Sequence, residues 1–485
     1  MVLGSGFSSL SAACYLAKDG HKVTLIEKNP SYGGRARQLK KQGFTFDMGP
    51  TFYWMPDVFD SFFKDFGVHT SDFYQLKKLN PAYQIYFGEK KSISIPDTLE
   101  ETCRLFENIE PGSGIKLENF ISRAKQNYHL AIDNLVYNPG ENLGEIITWE
   151  TIQKLGLFVS TIRSQVHRDF TNPWLRTTLE FPILFLGSTP AHTPAFYNFM
   201  NYADLGLGTW YPEGGMYSVV EAMVKLADSL GVKLLNSTEA THLEIHDKKV
   251  ISVKTNQGKI SSDLVVSGAD YAHTEKLLPP AHRQYSEKYW STRKFAPSAL
   301  MYYVGFDKKL TGVSHHTLFF DTNFETHAES IYQTKEWPEE PLFYASFPSL
   351  SDSSVAPENH EAGIFLIPIA PGISDPESIR NQYFEKIMNR LEKVTGQSLS
   401  SHILFWESYS VSDFEKDYHA YQGNAYGLAN TLLQTHILRP KMRSRKLKNL
   451  FFTGQLTVPG PGVPPSIISG KIVSQLISKE YERTF

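Results

Sequence analysis

The chain has 485 residues, of which 41% are hydrophobic and 20% are charged, and its formal net charge is −3. This composition predicts a globular protein of about two or three domains, and it lacks the basic excess that nucleic-acid binding requires. The two cysteines, Cys14 and Cys103, exclude a disulfide framework and a four-thiolate site, so we expect a reducing cytoplasmic compartment and no bound metal.

A dinucleotide-binding loop is predicted at the start of the chain. In "MVLGSGFSSL", Gly4 and Gly6 occupy the first two glycine positions of the G-x-G-x-x-G pattern, and Ser9 occupies the third, where its small side chain should be tolerated. The strand before this loop is short, so we expect further apolar residues to precede it in the native protein. Residues 8–20 have helical spacing, and the strand "HKVTLIEK" then leads to Glu27, placed to accept a hydrogen bond from a ribose hydroxyl. The pattern predicts a βαβ unit with a pyrophosphate on the helix N-terminus.

The next stretch strengthens the prediction of a cofactor site. "EKNPSYGGRARQ" places a Gly-Gly-Arg sequence shortly after Glu27, and "GFTFDMGPT" brings an Asp-x-Gly-Pro sequence. An ordinary turn would explain the two glycines alone, but their spacing from Glu27 and the adjoining Arg35 favour cofactor binding. These residues resemble the flavin-dependent amine oxidase and phytoene desaturase superfamily. The resemblance implies FAD rather than a nicotinamide cofactor.

The middle of the chain contains a second α/β segment. After Gly214 and Gly215, residues 217–230 have the apolar spacing of a helix, and "VKLLNS" and residues 241–270 read as strands with a β-meander. Periodicity alone indicates ordinary α/β structure. The resemblance implies that the chain here returns to the flavin domain, with backbone groups near Glu239 and Ala240 at the adenine.

The C-terminal block "NLFFTGQLTVPGPGVPPSIISGKIVSQLI" predicts a strand, a glycine- and proline-rich loop that begins at Gly454, and a helix. It resembles the C-terminal signature of bacterial-type (CrtI-like) phytoene desaturases, which implies a loop over the pyrophosphate and isoalloxazine. Gln455, Leu456 and Val458 depart from the usual signature. The basic segment just before it, residues 439–449, is expected to be a solvated loop, with anionic lipid headgroups as the alternative contact.

On this resemblance, the expected cofactor-binding residues come from both ends of the chain and from one central segment. They are Gly4, Gly6, Phe7, Ser8, Ser9, Glu27, Lys28, Gly33, Gly34, Arg35, Gly49, Pro50, Thr51, Glu239, Ala240, Gly454, Gln455, Pro459, Gly462, Val463 and Pro464.

The expected fold class is α/β, with a Rossmann-like FAD-binding domain in an amine oxidase/GDI-like two-domain architecture. The FAD-binding domain would be discontinuous, comprising 1–85, 205–275 and 420–485. The mixed α+β substrate domain would comprise 86–204 and 276–419, with 98–180 helical and membrane-facing.

The resemblance further implies an FAD-dependent desaturase that converts the carotene hydrocarbon phytoene, by repeated hydride and proton removal, to lycopene. Quinone or oxygen would accept the electrons. No apolar run approaches the ~18 residues of a membrane span, so we expect a peripheral, monotopic protein. The residues identify no general base; the acids within the matched motifs are Asp47, Glu213 and Asp413.

Two alternatives share this pattern. A related carotenoid desaturase or isomerase, such as one acting on hydroxylated carotenoids, would have the same motifs. A GDI-like lipid carrier would have the architecture without the redox chemistry, although retention of Gly33, Gly34 and Arg35 argues against a carrier. The adjacent His315 and His316 are predicted to face opposite sides of a strand, which excludes joint ligation of one metal.

Overall fold

A computed structural model describes residues 1–145, 147, 149–431 and 434–482. The strands are β1 Val2–Leu3, β2 Thr24–Ile26, β3 Gln38–Lys41, β4 Phe44–Asp47, β5 Leu76–Lys78, β6 Tyr83–Tyr86, β7 Ser92–Ile95, β8 Trp210–Pro212, β9 Lys233–Leu235, β10 Ala240–His246, β11 Lys249–Thr255, β12 Gly258–Ser261, β13 Val265–Ser267, β14 Ser298–Phe306, β15 His316–Phe319, β16 Phe343–Ser346, β17 Glu361–Ile369, β18 Ile403–Tyr409 and β19 Leu450–Phe452. The helices are α1 Phe7–Lys18, α2 Pro56–Lys64, α3 Leu99–Ile109, α4 Ser113–His129, α5 Trp149–Gln153, α6 Leu155–Val159, α7 Ile162–Asp169, α8 Pro173–Glu180, α9 Phe199–Asn201, α10 Tyr217–Ser229, α11 Tyr271–Lys276, α12 Glu287–Ser291, α13 Phe324–Glu329, α14 Glu377–Thr395, α15 Val411–Tyr418 and α16 Val463–Glu482.

A five-stranded parallel sheet joins both ends of the chain. Its order is β19-β13-β1-β2-β9, so the first strand lies between β13 and β2. Val2 pairs with Val266 on one side and with Leu25 on the other. All three of these residues are fully buried, as expected for a parallel sheet that is covered on both faces. The α/β class with a dinucleotide-binding fold is therefore confirmed, and its sheet is built from three separate parts of the sequence.

Helices α1 and α16 pack closely together beside this sheet. Gly470 makes the approach possible, because a β-carbon there would lie 2.5 Å from the carbonyl oxygen of Ser8. The hydroxyl of Ser11 donates to the carbonyl of Ile467 across the contact, at 2.7 Å. The two helices begin directly after the two predicted glycine loops, so this packing brings those loops to the same edge of the sheet.

A seven-stranded mixed sheet forms the second large layer. Its order is β18-β14-β17-β16-β15-β6-β7, and its strands are antiparallel neighbours except for the parallel pair β15 and β6. Tyr86 in β6 pairs with Phe319 in β15. Strand β6 belongs to this sheet throughout, so the predicted boundary after residue 85 falls within a strand.

Helices α3 to α8 lie between residues 99 and 180, where the sequence predicts a helical region. Among the described residues, no helix has both the length and the apolar character needed to cross a membrane. Several large apolar side chains in the second half of this region are exposed, including Trp149 at 71% and Val159 at 77%.

Candidate cofactor and substrate site

One continuous cavity extends from the N-terminal glycine loop to the seven-stranded sheet. Every residue that the sequence predicts for cofactor binding lines this cavity, with the exceptions of Ser9 and Pro459. Ser9 is fully buried and donates to the carbonyl of Leu3, at 3.3 Å, so it serves the packing between α1 and β1. The motifs at both chain ends and in the middle thus meet at a single site.

Glu27 lies at the wall of the cavity, with both carboxylate oxygens engaged by protein donors. One oxygen accepts from the Ser5 amide at 2.9 Å and from the Ser5 hydroxyl at 2.5 Å. The other accepts from the Asn29 amide at 2.8 Å and from its side chain at 3.1 Å. A carboxylate has about four acceptor positions. A ribose hydroxyl can therefore bind Glu27 only by replacing one of these donors.

The Gly-Gly-Arg and Asp-x-Gly-Pro motifs lie against each other at the cavity. A β-carbon on Gly49 would stand 2.2 Å from the carbonyl oxygen of Arg35. The Arg35 side chain donates to the carbonyl of Asn424 at 3.1 Å, and its Nε is buried without a hydrogen-bond partner. Desolvation lowers the pKa of Arg35, and the negative charge of Asp270 opposes that shift. A buried arginine cation thus lies at the cavity wall.

The C-terminal loop is held by a buried arginine that sequence reasoning placed in a solvated segment. Arg439 is only 2% exposed. Its guanidinium donates to the carbonyls of Gln455 and Leu428, at 3.1 Å each, and to the side chain of Asn430. The expectation for the start of segment 439–449 was wrong, because backbone carbonyls of two loops converge on this side chain. Burial lowers the pKa of Arg439 to about 10, so it remains a cation.

The cavity has further polar residues at the end nearest Glu239, and the sequence motifs did not indicate them. His419 contacts the Glu239 carboxylate at 2.7 Å, and its ring stacks on His273 with 3.9 Å between centroids. Desolvation lowers the pKa of His273 to about 3, so it is neutral at ordinary pH. Asp417 binds Arg37 at 2.5 Å, which ties α15 to the N-terminal motif. Only tertiary packing brings residues 417–419 to this wall.

The other half of the cavity is apolar. Its walls come from β14 to β17, from α13 and from the segment between α8 and α9; among them are Phe181, Leu184, Met200, Leu318, Phe320, Ala328, Ile331, Leu342 and Leu366. Walls of this kind suit a hydrocarbon chain, whose burial would contribute about 25 cal/mol per Å².

None of the three acids named as candidate bases lines the cavity. Each carboxylate lies elsewhere in the fold. Asp47 accepts from the amides of Met216 and Tyr217 at the start of α10, at 2.6 and 3.2 Å, and burial raises its pKa to about 7. Asp413 caps α15 and binds Arg380 at 2.7 Å. Asp47 and Asp413 therefore serve the starts of helices, where backbone amides favour a carboxylate. Glu213 lies at the surface.

Both ring nitrogens of one histidine at the apolar half are engaged by the backbone. His327 lines the cavity, but its Nδ1 accepts from the Leu342 amide at 2.9 Å and its Nε2 donates to the carbonyl of Pro368 at 2.8 Å. The rings of His315 and His316 touch, with 4.5 Å between centroids, rather than facing opposite sides. His315 precedes β15, so the alternation of a strand does not apply to it.

The residues present fit a dinucleotide cofactor. A β-carbon on Gly6 would meet no atom within 4 Å, so the first loop leaves open space beside the amides that begin α1. Arg35 and Glu27 both line the cavity, so a cation and a carboxylate lie at its wall. Gly454, Gly462 and Val463 of the C-terminal loop also line the cavity.

The chain matches the family model described as flavin containing amine oxidoreductase over residues 7–478. It is 40% identical to the carotenoid 3,4-desaturase of Haloarcula japonica, over 99% of this chain and 98% of the relative. It is 30% identical to the 4,4'-diapophytoene desaturase (4,4'-diaponeurosporene-forming) of Staphylococcus aureus, over 99% of each chain. Among solved structures, an oxidoreductase from Methanosarcina mazei is similar, with a TM-score of 0.62 and 17% identity over 98% of this chain and 99% of that one.

Proposed function

Because the chain belongs to the flavin-containing amine oxidoreductase family, and within it to the carotenoid desaturases, we propose that it introduces double bonds into a carotenoid polyene. FAD is its cofactor, and the chain is an oxidoreductase acting on CH–CH bonds. The residues that hold FAD are, in this proposal, the cavity-lining members of the predicted set. When bound, the flavin supplies an acceptor for the hydride that leaves one of two neighbouring carbons.

The observation that carries the proposal is the continuity of the cavity. Its polar half contains the glycine loops, Glu27 and Arg35, and its other half is apolar. A hydrocarbon has no polar group by which it can be oriented, so its position must come from the shape of the walls and from burial of its surface. The side chains of Phe181, Met200 and Leu342 would exclude water from the bond that reacts.

In its finer form, the proposal is conversion of phytoene to lycopene by repeated desaturation, as the C-terminal signature implies. A second candidate is a single desaturation at the 3,4 bond, which is the bond given in the name of the Haloarcula relative. The higher identity, 40% against 30%, favours this second candidate. Both require the same cavity and the same cofactor.

We also propose peripheral membrane binding, since carotenoids dissolve in lipid. The exposed residue Val159 follows Phe158 in the chain, and the Phe158 ring stacks on Phe196 with 4.7 Å between centroids; Trp149 in α5 is exposed as well. Phe196 in turn contacts Phe199, which precedes the cavity residue Met200. In this proposal, these aromatic contacts connect the exposed surface with the substrate half of the cavity. A membrane quinone or oxygen would reoxidise the flavin.

The experiment is an anaerobic absorbance titration of the FAD-loaded protein with phytoene in liposomes. The expected result is loss of the oxidised flavin band together with new polyene bands. The positions of these bands give the number of new double bonds. A variant Ala328→Trp, which fills the apolar half, should retain FAD and lose the bleaching. Oxidised flavin throughout, with phytoene, with lycopene and with a hydroxylated carotenoid alike, would contradict a desaturase.

A further inference from the structure

The guanidinium of Arg439 is a buried cation whose hydrogen-bond acceptors are all neutral. These acceptors are the backbone carbonyls of Gln455, Thr457 and Leu428 and the side-chain oxygen of Asn430. The Nε atom is buried without a hydrogen-bond partner. In the part of the chain that the structure describes, no carboxylate pairs with this side chain.

The ionisable groups that act on Arg439 are two phenols, those of Tyr197 and Tyr289. Burial raises the pKa of Tyr197, and it raises the pKa of Tyr289 to about 12. Both phenols are therefore uncharged at ordinary pH. Neither of them supplies a negative charge that would neutralise the arginine.

Another arginine of the fold shows the usual arrangement. Arg380 binds the carboxylates of Asp375 and Asp413, so its charge is neutralised where it lies. Buried charges are normally paired in this way because desolvation is costly, and neutral oxygens repay only part of that cost. The positive field of Arg439 is not cancelled locally, and it extends into the surroundings.

Those surroundings include the part of the wall where the C-terminal loop meets the apolar half of the cavity. Gln455, whose carbonyl accepts from Arg439, lines the cavity. On the apolar side, the amide of Asn430 donates to the carbonyl of Leu186 at 3.3 Å, and Leu186 also lines the cavity. A single residue layer thus separates the guanidinium from the cavity. A charge acts across such a layer because the effective dielectric constant within proteins is about 20 rather than about 80.

The proposed reaction brings negative charge into the cavity. A C–H bond of the polyene breaks, and both bonding electrons leave with the hydrogen as a hydride. The hydride passes to the flavin, which is thereby reduced, and the neighbouring carbon releases a proton to water. A fixed cation behind the wall stabilises the electron-rich reduced flavin more than the oxidised flavin, and it needs no reorganisation when the charge arrives.

We propose that Arg439 sets the redox balance of the bound flavin, because its unpaired charge favours reduced over oxidised FAD. Its side chain does not line the cavity, so it acts through its field and through the C-terminal loop, as a positioning residue. The inference goes beyond the proposed function, since it holds for any substrate that delivers a hydride. It rests on that proposal only for the FAD site.

The quantity to measure is a ratio of two dissociation constants, that of oxidised FAD divided by that of reduced FAD. Potentiometric titration of bound and free FAD gives this ratio directly. Arg439→Gln keeps a hydrogen-bond donor and removes the charge, so the ratio should fall at least about tenfold.

A second variant neutralises the charge while Arg439 stays in place. Asn430→Asp retains the acceptor for the guanidinium and adds a carboxylate beside it, so the ratio should fall at least about fivefold. Asn430→Ala is the matched control, because it removes the acceptor and leaves the charge unpaired. The ratio should then stay within about twofold of the wild-type value.

Arg380→Gln controls for general damage. It breaks two ion pairs of an arginine that does not line the cavity, so it should lower stability and leave the ratio unchanged.

A wild-type ratio in both Arg439→Gln and Asn430→Asp would overturn the inference, and Asn430→Asp decides alone if Arg439→Gln does not fold. An equal fall in Asn430→Ala and Asn430→Asp would also overturn it, since loop geometry rather than charge would then set the ratio. If the ratio follows the charge but no carotenoid bleaches the flavin, the desaturase proposal fails while this inference stands. If the wild-type protein binds no FAD, both fail.

Discussion

Gly49 lies so close to Arg35 that a β-carbon on the glycine would stand 2.2 Å from the arginine carbonyl oxygen. The contact joins the two N-terminal motifs at the wall of the cavity. We expect Gly49→Ala to push these backbones apart, to lower the free energy of unfolding by roughly 1–3 kcal/mol, and to weaken FAD binding. Calorimetry and flavin fluorescence measure the two effects. Gly156→Ala is the control, because a β-carbon at Gly156 meets no atom within 4 Å; equal effects of the two substitutions would contradict the argument.

Arg439 holds the C-terminal loop through the carbonyls of Gln455 and Leu428. Replacement by methionine would leave these carbonyls buried without donors, at about 1–3 kcal/mol each. Arg439→Met should therefore lower the melting temperature and weaken FAD binding at the loop. Arg445→Met, at an exposed arginine of the same basic segment, should change neither. A variant Arg439→Met with the stability and FAD affinity of the wild type would show that the loop is held in another way.

Asp204 should make stability depend on pH. Burial raises its pKa to about 7, and Tyr83 donates to it at 2.7 Å. An unfolded aspartate has a pKa of about 3.9, so between about pH 4 and 7 the folded protein holds a proton that the unfolded chain has lost. This contribution to stability is complete below about pH 4 and is lost as the pH rises through about 7, by at most about 1.4 kcal/mol per pH unit.

The measurement is the difference in unfolding free energy between the wild-type protein and Asp204→Asn across that range. The difference isolates Asp204 from groups that act in the opposite sense, such as His273, whose pKa burial lowers to about 3. The stability advantage of the wild type should shrink as the pH rises. A difference that does not change with pH would mean that Asp204 is ionised in the folded protein throughout.

Trp149 and Val159 are the apolar contacts that we expect with a membrane surface, since they are 71% and 77% exposed. The double change Trp149→Ser and Val159→Ser removes apolar area and should weaken binding to liposomes at least about tenfold. Flotation of the FAD-loaded protein with liposomes measures this. Ile251→Ser is the matched control, because Ile251 is 46% exposed on β11, in the three-stranded sheet. Equal flotation of the wild-type protein, the double variant and Ile251→Ser would show that this surface does not bind the membrane.

The elements that we propose to bind the dinucleotide were readable from the sequence because their signals are local. The glycine loop before α1, the acid after β2 and the glycine- and proline-rich loop before α16 each depend on a few consecutive residues. Backbone conformation and exposed helix amides follow from those residues directly. The β-meander of β10 to β12 was readable for the same reason, with its turn at residues 256–258.

The roles of charged and polar side chains were not readable in this way. Arg439 looked solvated by its basic neighbours, yet two loops bring their carbonyls to it. Asp47 lies in a motif but serves the start of α10. His419 reaches Glu239 only because α15 packs over the N-terminal motif.

The sequence by itself determined the cofactor class and the order of the strands and helices that surround it, since glycine placement and apolar periodicity act over neighbouring residues. Only the tertiary structure decided that the cavity continues from Glu27 to Leu342, and that Thr51, Tyr344 and His316 form one hydrogen-bonded chain at its wall. Those three residues are far apart in sequence, and no local pattern encodes which strands become neighbours. The free energy of burying the whole apolar surface decides that pairing.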